Sequence, residues 1–369
     1  MAGIYIHIPV CKQACHYCNF HFVTSLRHKN ELVAALLKEM EFQQDYFEKE
    51  TVETIYFGGG TPSLLPIEDL RLQIEKIKSL FKVNNNAEIT LEANPDDIDE
   101  EKLIGWKEIG INRLSIGVQS FFEEDLRWMN RAHTAEQATG NLQLAKKHFD
   151  NITIDLIYGM PGLTNEKWKQ NVDRAIQFNI PHLSCYALTV ESKTPLQKMI
   201  NSGKMQDINP DKQSEQFLLL MQWLEDAGYA HYEISNFAKP GFRSRHNSSY
   251  WQGKKYLGIG PSAHSFDGNS RQWNVSNNTV YIESIKNDTL SFEKEELTAI
   301  QKTNEYIMTS LRTMEGLDLT KMEKEAGGQL IRRAKKHIDQ GLLLQKNNFL
   351  LLTKEGKFLA DGIAAYLFF

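Results

Sequence analysis

Over the first 240 residues, short apolar β-rich runs alternate with helical patterns, and this alternation limits the chain to very few folds. The runs are Ile4 to Pro9, Glu53 to Phe57, Glu88 to Glu92, Arg113 to Val118, Ile152 to Tyr158 and His182 to Leu188. Between them, Leu32, Val33, Leu36, Leu37 and Met40 fall on one helix face, and Leu70, Ile74, Ile77 and Phe81 on another. Six strand–helix units with short connections call for parallel strands covered by helices. They are too few for an eight-stranded closed barrel. The expected fold class is therefore α/β, a partial, open (β/α)6 barrel.

After Pro240 the rhythm breaks. Gly241 to Asn287 is rich in Gly, Ser, Asn and aromatics and reads as irregular with a few short strands. A helical pattern returns from Leu297, and two apolar runs flank Lys346, Asn347 and Asn348 as a hairpin before a last helix from Lys357. That order points to a small α+β, winged-helix-like domain. The expected division is 1–240 for the barrel, 241–290 for an irregular connection and 291–369 for the C-terminal domain.

Composition narrows the function classes. Of 369 residues, 42 are Lys or Arg and 47 are Asp or Glu, a net charge of -5 that argues against a nucleic-acid surface. The acidic balance favours a lid or packing role for the winged-helix-like domain. The longest apolar run, Ile363 to Phe369, falls far short of the roughly 18 residues of a spanning helix. MAGIYIHIPVC shows neither a basic n-region nor a long apolar h-region. A cytoplasmic chain without an integral membrane segment is expected, with membrane association only through partners.

Three of the four cysteines, Cys11, Cys15 and Cys18, form a C-x3-C-x2-C loop directly after the first strand. Thiols kept reduced at this spacing point to a metal site before disulfides. Three thiolates on a four-iron cluster leave one iron open for another ligand. A structural zinc would need a fourth protein ligand, for which His7, His16 and His21 are the nearby choices. Cys185, inside the sixth strand, reads as a small buried apolar residue.

The C-x3-C-x-Tyr-C arrangement resembles the radical S-adenosylmethionine (SAM) superfamily. Tyr5-Ile6-His7-Ile8-Pro9, Phe57 to Pro62, Glu92 to Pro95, Asn112 to Phe121 and Ile154 to Gly162 resemble the oxygen-independent coproporphyrinogen III oxidase (HemN) group. The resemblance implies a [4Fe–4S] cluster on Cys11, Cys15 and Cys18. SAM would chelate the open iron, and an electron from the cluster would cleave its sulfonium bond. It also places Tyr5, Gly59, Gly60, Thr61, Glu92, Gln119, Arg131 and Asp155 around SAM, and it calls for an electron donor.

Two departures separate this chain from the oxidases. Phe20 stands where they carry an additional cysteine, and only four residues precede Tyr5 in place of a substrate-covering arm. Both match the HemW subgroup of haem chaperones, as does His246-Asn247-Ser248-Ser249-Tyr250-Trp251. The resemblance implies a carrier that binds haem and passes it to acceptor proteins, without coproporphyrinogen III oxidase activity. The alternative is a radical SAM decarboxylase of porphyrin biosynthesis. His246 is expected to be an axial haem ligand in a mobile loop, Lys239 to Ser249. His7, His133 and His264 are secondary choices, His7 also as an orienter of the cysteine loop.

Overall fold

The computed structural model describes residues 2–369. Parallel strands β1 (Ala2–Ile8), β2 (Val52–Gly59), β3 (Val83–Ala93), β4 (Arg113–Gln119), β5 (Ile152–Tyr158) and β6 (His182–Ala187) lie side by side in chain order. In β1, Ile4, Ile6 and Ile8 are fully buried on the helix-covered face, while His7, on the other, is 5% exposed. Burial on both faces is what a parallel strand between helices requires. The helices are stopped and started by local chemistry. Thr134 accepts a hydrogen bond from the Gln137 backbone, and the Gln137 side chain accepts one from Thr134, a reciprocal cap on Ala135–His148.

The sheet is open. Beyond β6 lie the antiparallel strands β7 (Ala230–Glu233) and β8 (Asn236–Ala238), with β8 against β6. Beyond β1 lies β9 (Lys255–Ile259), paired in parallel, followed by β10 (His264–Phe266), β11 (Ser270–Asn274) and β12 (Phe292–Glu296). The stretch 241–287, expected to be irregular with a few short strands, holds three short strands, all in the main sheet, and two helices, Arg245–Trp251 and Asn278–Lys286, that the expectation lacked. The physical reason is that β9 satisfies the otherwise open edge of β1.

Glu39 fixes that addition. Its buried carboxylate accepts from Gly260 N at 2.7 Å, from Asn274 Nδ2 at 2.6 Å and from the Tyr281 hydroxyl. Burial pushes the Glu39 carboxyl up to about 7, against the pull of these donors. Leu257, Ile259, Tyr281 and Ile285 accordingly belong to the same apolar core as the barrel.

A second core gathers Ile307, Leu311, Leu330, Leu350, Ile363 and Leu367. Here the helices Ala299–Leu311 and Lys324–Asp339 pack with a three-stranded sheet of β13 (Leu317–Asp318), β14 (Leu343–Lys346) and β15 (Phe349–Leu352). The hairpin turns at Asn347, whose φ of 54° lies in the left-handed region that Asn tolerates. This is the winged-helix-like order of elements. Among the described residues, no helix is long and apolar enough to cross a membrane.

Candidate functional site

The cysteine loop leaves β1 and is clamped from below by Asn130. The Asn130 side chain donates to Ala14 O at 2.7 Å and accepts from Gln13 Nε2 at 2.7 Å. Arg131 reaches into the same loop, donating to Cys15 Sγ and to the Tyr17 hydroxyl at 3.4 Å each. Its other nitrogen donates to Asn94 Oδ1 at 2.6 Å and Gly117 O at 2.9 Å, so one guanidinium ties the loop to the ends of β3 and β4. Its Nε is buried without a hydrogen-bond partner.

Cys11, Cys15 and Cys18 are free thiols of intermediate exposure. Burial pushes the Cys11 thiol up to about 11, opposed by a hydrogen bond with Thr61, and burial also raises Cys18. Among the described residues, no group of three or more His, Cys, Asp or Glu side chains is arranged around one metal ion. Of the imidazoles that could complete a zinc site, His7 has both nitrogens engaged, while His16 and His21 each use one, on Trp128 O and Asn278 Oδ1. His7 joins β1 to the loop, and the Tyr5 hydroxyl lies 3.2 Å from its Nδ1. Cys185 is 1% exposed in the core.

The three thiols face a cavity of about 530 Å³ at the C-terminal edge of the strands. Tyr5, Gly59, Gly60, Thr61, Glu92, Gln119, Arg131 and Asp155, far apart in sequence, all line it. Parallel pairing puts them there, with Ile8 opposite Gly59 and Ala93 opposite Ile116. Gly60 is dictated by contact, since a Cβ there would lie 2.5 Å from Val10 O under the loop. Gln119 adopts a φ of 65°, strained for a residue with a side chain and placed where β4 meets the cavity.

Two buried carboxyls sit in the wall. Glu92 accepts from the Tyr56 hydroxyl at 2.8 Å and from Gly59 N at 3.1 Å. Burial pushes Glu92 up to about 7, against the Tyr56 hydrogen bond, and pushes Asp155 up to about 6, against a hydrogen bond from Ser184. Asn94 and Tyr17, present in the motifs but given no site role from sequence, line the cavity themselves, and Tyr56, outside those motifs, contacts Glu92. Asn94 accepts from Arg131 and donates to Thr61 Oγ1 at 3.2 Å.

His246 is placed differently from expectation. Ser244 caps the helix Arg245–Trp251 by accepting from Asn247 N, and the Glu88 carboxylate accepts from Arg245 N and His246 N. The imidazole is 1% exposed, with Nδ1 2.7 Å from Thr54 Oγ1 and Nε2 2.8 Å from the Tyr250 hydroxyl. It stacks on Tyr56 at 4.9 Å and Tyr5 at 6.4 Å, and burial lowers its pKa to about 3. The mobile-loop reading is corrected: the capped helix seats a neutral, buried imidazole, with no nitrogen free for haem iron in this conformation. His133 is also buried, with Nε2 on Val118 O, and His264 lies exposed on β10.

The radical SAM superfamily model matches residues 5–175. The heme chaperone HemW of Bacillus subtilis (strain 168) is 32% identical over 372 residues, covering 98% of this chain and 98% of that protein. The chain belongs to the HemW family of the radical SAM superfamily. The heme chaperone HemW of Escherichia coli (strain K12) is 31% identical over 373 residues, covering 98% of this chain and 96% of that protein. Among solved structures, coproporphyrinogen III oxidase (HemN) from Escherichia coli superposes with a TM-score of 0.86 at 24% identity, covering 99% of this chain and 89% of that one. The two share the open-barrel fold.

Membership in the radical SAM superfamily implies a [4Fe–4S] cluster and SAM for this HemW-family chain. The donor set fits such a group. Three thiols share one cavity wall with a buried guanidinium, and no carboxylate pairs with that guanidinium among the described residues.

Proposed function

We propose that the chain carries haem to acceptor proteins and keeps a [4Fe–4S] cluster on Cys11, Cys15 and Cys18 beside a SAM site. The observation that carries the haem reading is the near end-to-end similarity to heme chaperones, across both the barrel and the C-terminal unit. When bound, the cluster supplies an electron and one open iron position. The chain's own groups do the rest. Arg131 offers its charge to an anionic end of SAM and to the thiolates, while Glu92 and Asp155 accept from ammonium or ribose hydroxyl groups. Tyr56 and Gly59 hold the Glu92 carboxylate in place.

Glu92→Ala and Asp155→Ala should each weaken SAM binding about ten- to hundredfold, the loss of a charged hydrogen bond, with iron content unchanged. Calorimetric titration of the reconstituted chain checks this, and unchanged affinity in both variants contradicts the assignment. The raised carboxyls add a pH test. Both are acceptors when ionised, so SAM affinity should fall as pH drops through 7 and then 6, by about tenfold between pH 8 and 5.5. Equal affinity at the two pH values would show that neither carboxylate touches the ligand.

Carriage is tested by mixing the haem-loaded chain with an apo-haemoprotein and following the acceptor's absorbance. Transfer faster than from free haem at the same concentration supports the reading; haem left on the chain, or never bound, contradicts it.

A further inference from the structure

We propose that haem sits in a second cavity, between the barrel and the C-terminal unit, rather than at the cysteine loop or on His246. This rests on the haem reading above and gives it a location. The cavity measures about 730 Å³, within the roughly 300–1,000 Å³ range of cofactor sites. Its walls suit a flat macrocycle. Trp251, Tyr256 and Phe266 come from the barrel side, and Tyr306, Met308 and Phe349 from the C-terminal unit. Met308 and Phe349 are 37% and 38% exposed, large apolar groups with one face uncovered. Trp251 is braced from outside the cavity wall by Arg312, whose guanidinium lies 5.0 Å from the ring.

The charges select the ligand's periphery. Arg271 holds Glu305 at 2.6 Å and Arg243 holds Glu315 at 2.7 Å, while the Asp318 carboxylate accepts from Thr320. Two of the three wall carboxylates are thus paired with cations, and the third, Asp318, lies in the field of Lys321. Lys254, Lys302 and Lys321 also line it, and none forms a salt bridge among the described residues; Lys302 donates only to Asn269 Oδ1. Aromatic walls with five cations against three carboxylates, a surplus of two positive charges, fit a planar ring bearing two carboxylates, which is the periphery of haem. The cavity also meets the cluster site through one shared wall. Tyr250 lines it, its hydroxyl is bonded to His246, and His246 stacks on Tyr5, which lines the other cavity. His246 is a positioning residue in this arrangement.

The cluster-loaded full chain is titrated with haemin, alongside a variant carrying Lys254→Glu, Lys302→Glu and Lys321→Glu. A control carries Lys204→Glu, Lys335→Glu and Lys346→Glu, the same charge change at exposed positions outside this cavity. The cavity variant should lose at least about tenfold in affinity with its iron content intact, and the control should not. In parallel, the parent chain is illuminated with one equivalent of zinc protoporphyrin and its oxidised residues are mapped by mass spectrometry. Trp251 and Met308 should be modified before Met205, which is half-buried and outside the cavity wall. Equal affinities in both variants, with oxidation concentrated around Tyr17 and the cysteine loop, would overturn the location while leaving haem binding intact. No haemin binding by the parent chain would overturn the haem reading itself.

Discussion

A chain carrying Cys11→Ala, Cys15→Ala and Cys18→Ala should emerge from anaerobic reconstitution without iron, against about four irons in the parent. Among the described residues, the three thiols are the only free ones at the cavity; the fourth, Cys185, is 1% exposed in the barrel core and cannot replace them. The broad visible absorption of the cluster should vanish with the iron, and Cys185→Ala should leave both unchanged. The loop itself should survive, because Asn130, Arg131 and His7 hold it through contacts that do not depend on all three sulfurs. Iron analysis with a thermal melt separates the two effects: a folded triple variant that still binds about four irons would refute the ligand set.

Glu39→Ala should be the most damaging single substitution away from the site. It strands Gly260 N–H, the Asn274 amide and the Tyr281 hydroxyl in a dry interior. Each orphaned donor costs about 1–3 kcal/mol, and partial rearrangement brings the expected total to about 3–5 kcal/mol. A thermal melt should fall by about 5 °C. The carboxyl's folded pKa, about 7, lies above its ordinary 4.5, so its contribution is complete below 4.5 and is lost as pH rises through 7. Glu39→Gln, which stays neutral, should therefore close its gap to the parent between pH 5 and 8. A melt unchanged by Glu39→Ala would show that β9 does not depend on this carboxylate.

Much of the barrel was legible because parallel buried strands announce themselves as short continuous apolar runs. The run Ile152 to Tyr158 coincides with β5, and the other five differ only at their ends. The cavity was legible for a related reason: parallel strands end on one edge, so motifs closing successive strands must meet. β9 was missed because Lys255–Ile259 is short and sits among Gly, Ser and Asn, and its place beside β1 depends on contacts more than 200 residues apart, such as that of Glu39 with Gly260. A hint existed in the acidic Glu39 on the apolar face of Leu32 and Leu36. His246 was misjudged because a serine-rich stretch reads as loop, whereas Ser244 caps a helix. The spacing of His246 and Tyr250, one helical turn, was the available signal.

The central claim is that a radical SAM fold here serves haem carriage and not oxidative decarboxylation. The most direct measurement gives one anaerobically reconstituted sample both haem and, in a parallel reaction with SAM and a reductant, coproporphyrinogen III. The account predicts saturable haem binding near one per chain, with a defined Soret band, and no decarboxylated product. Steady turnover of coproporphyrinogen III by a chain that retains no haem would contradict it.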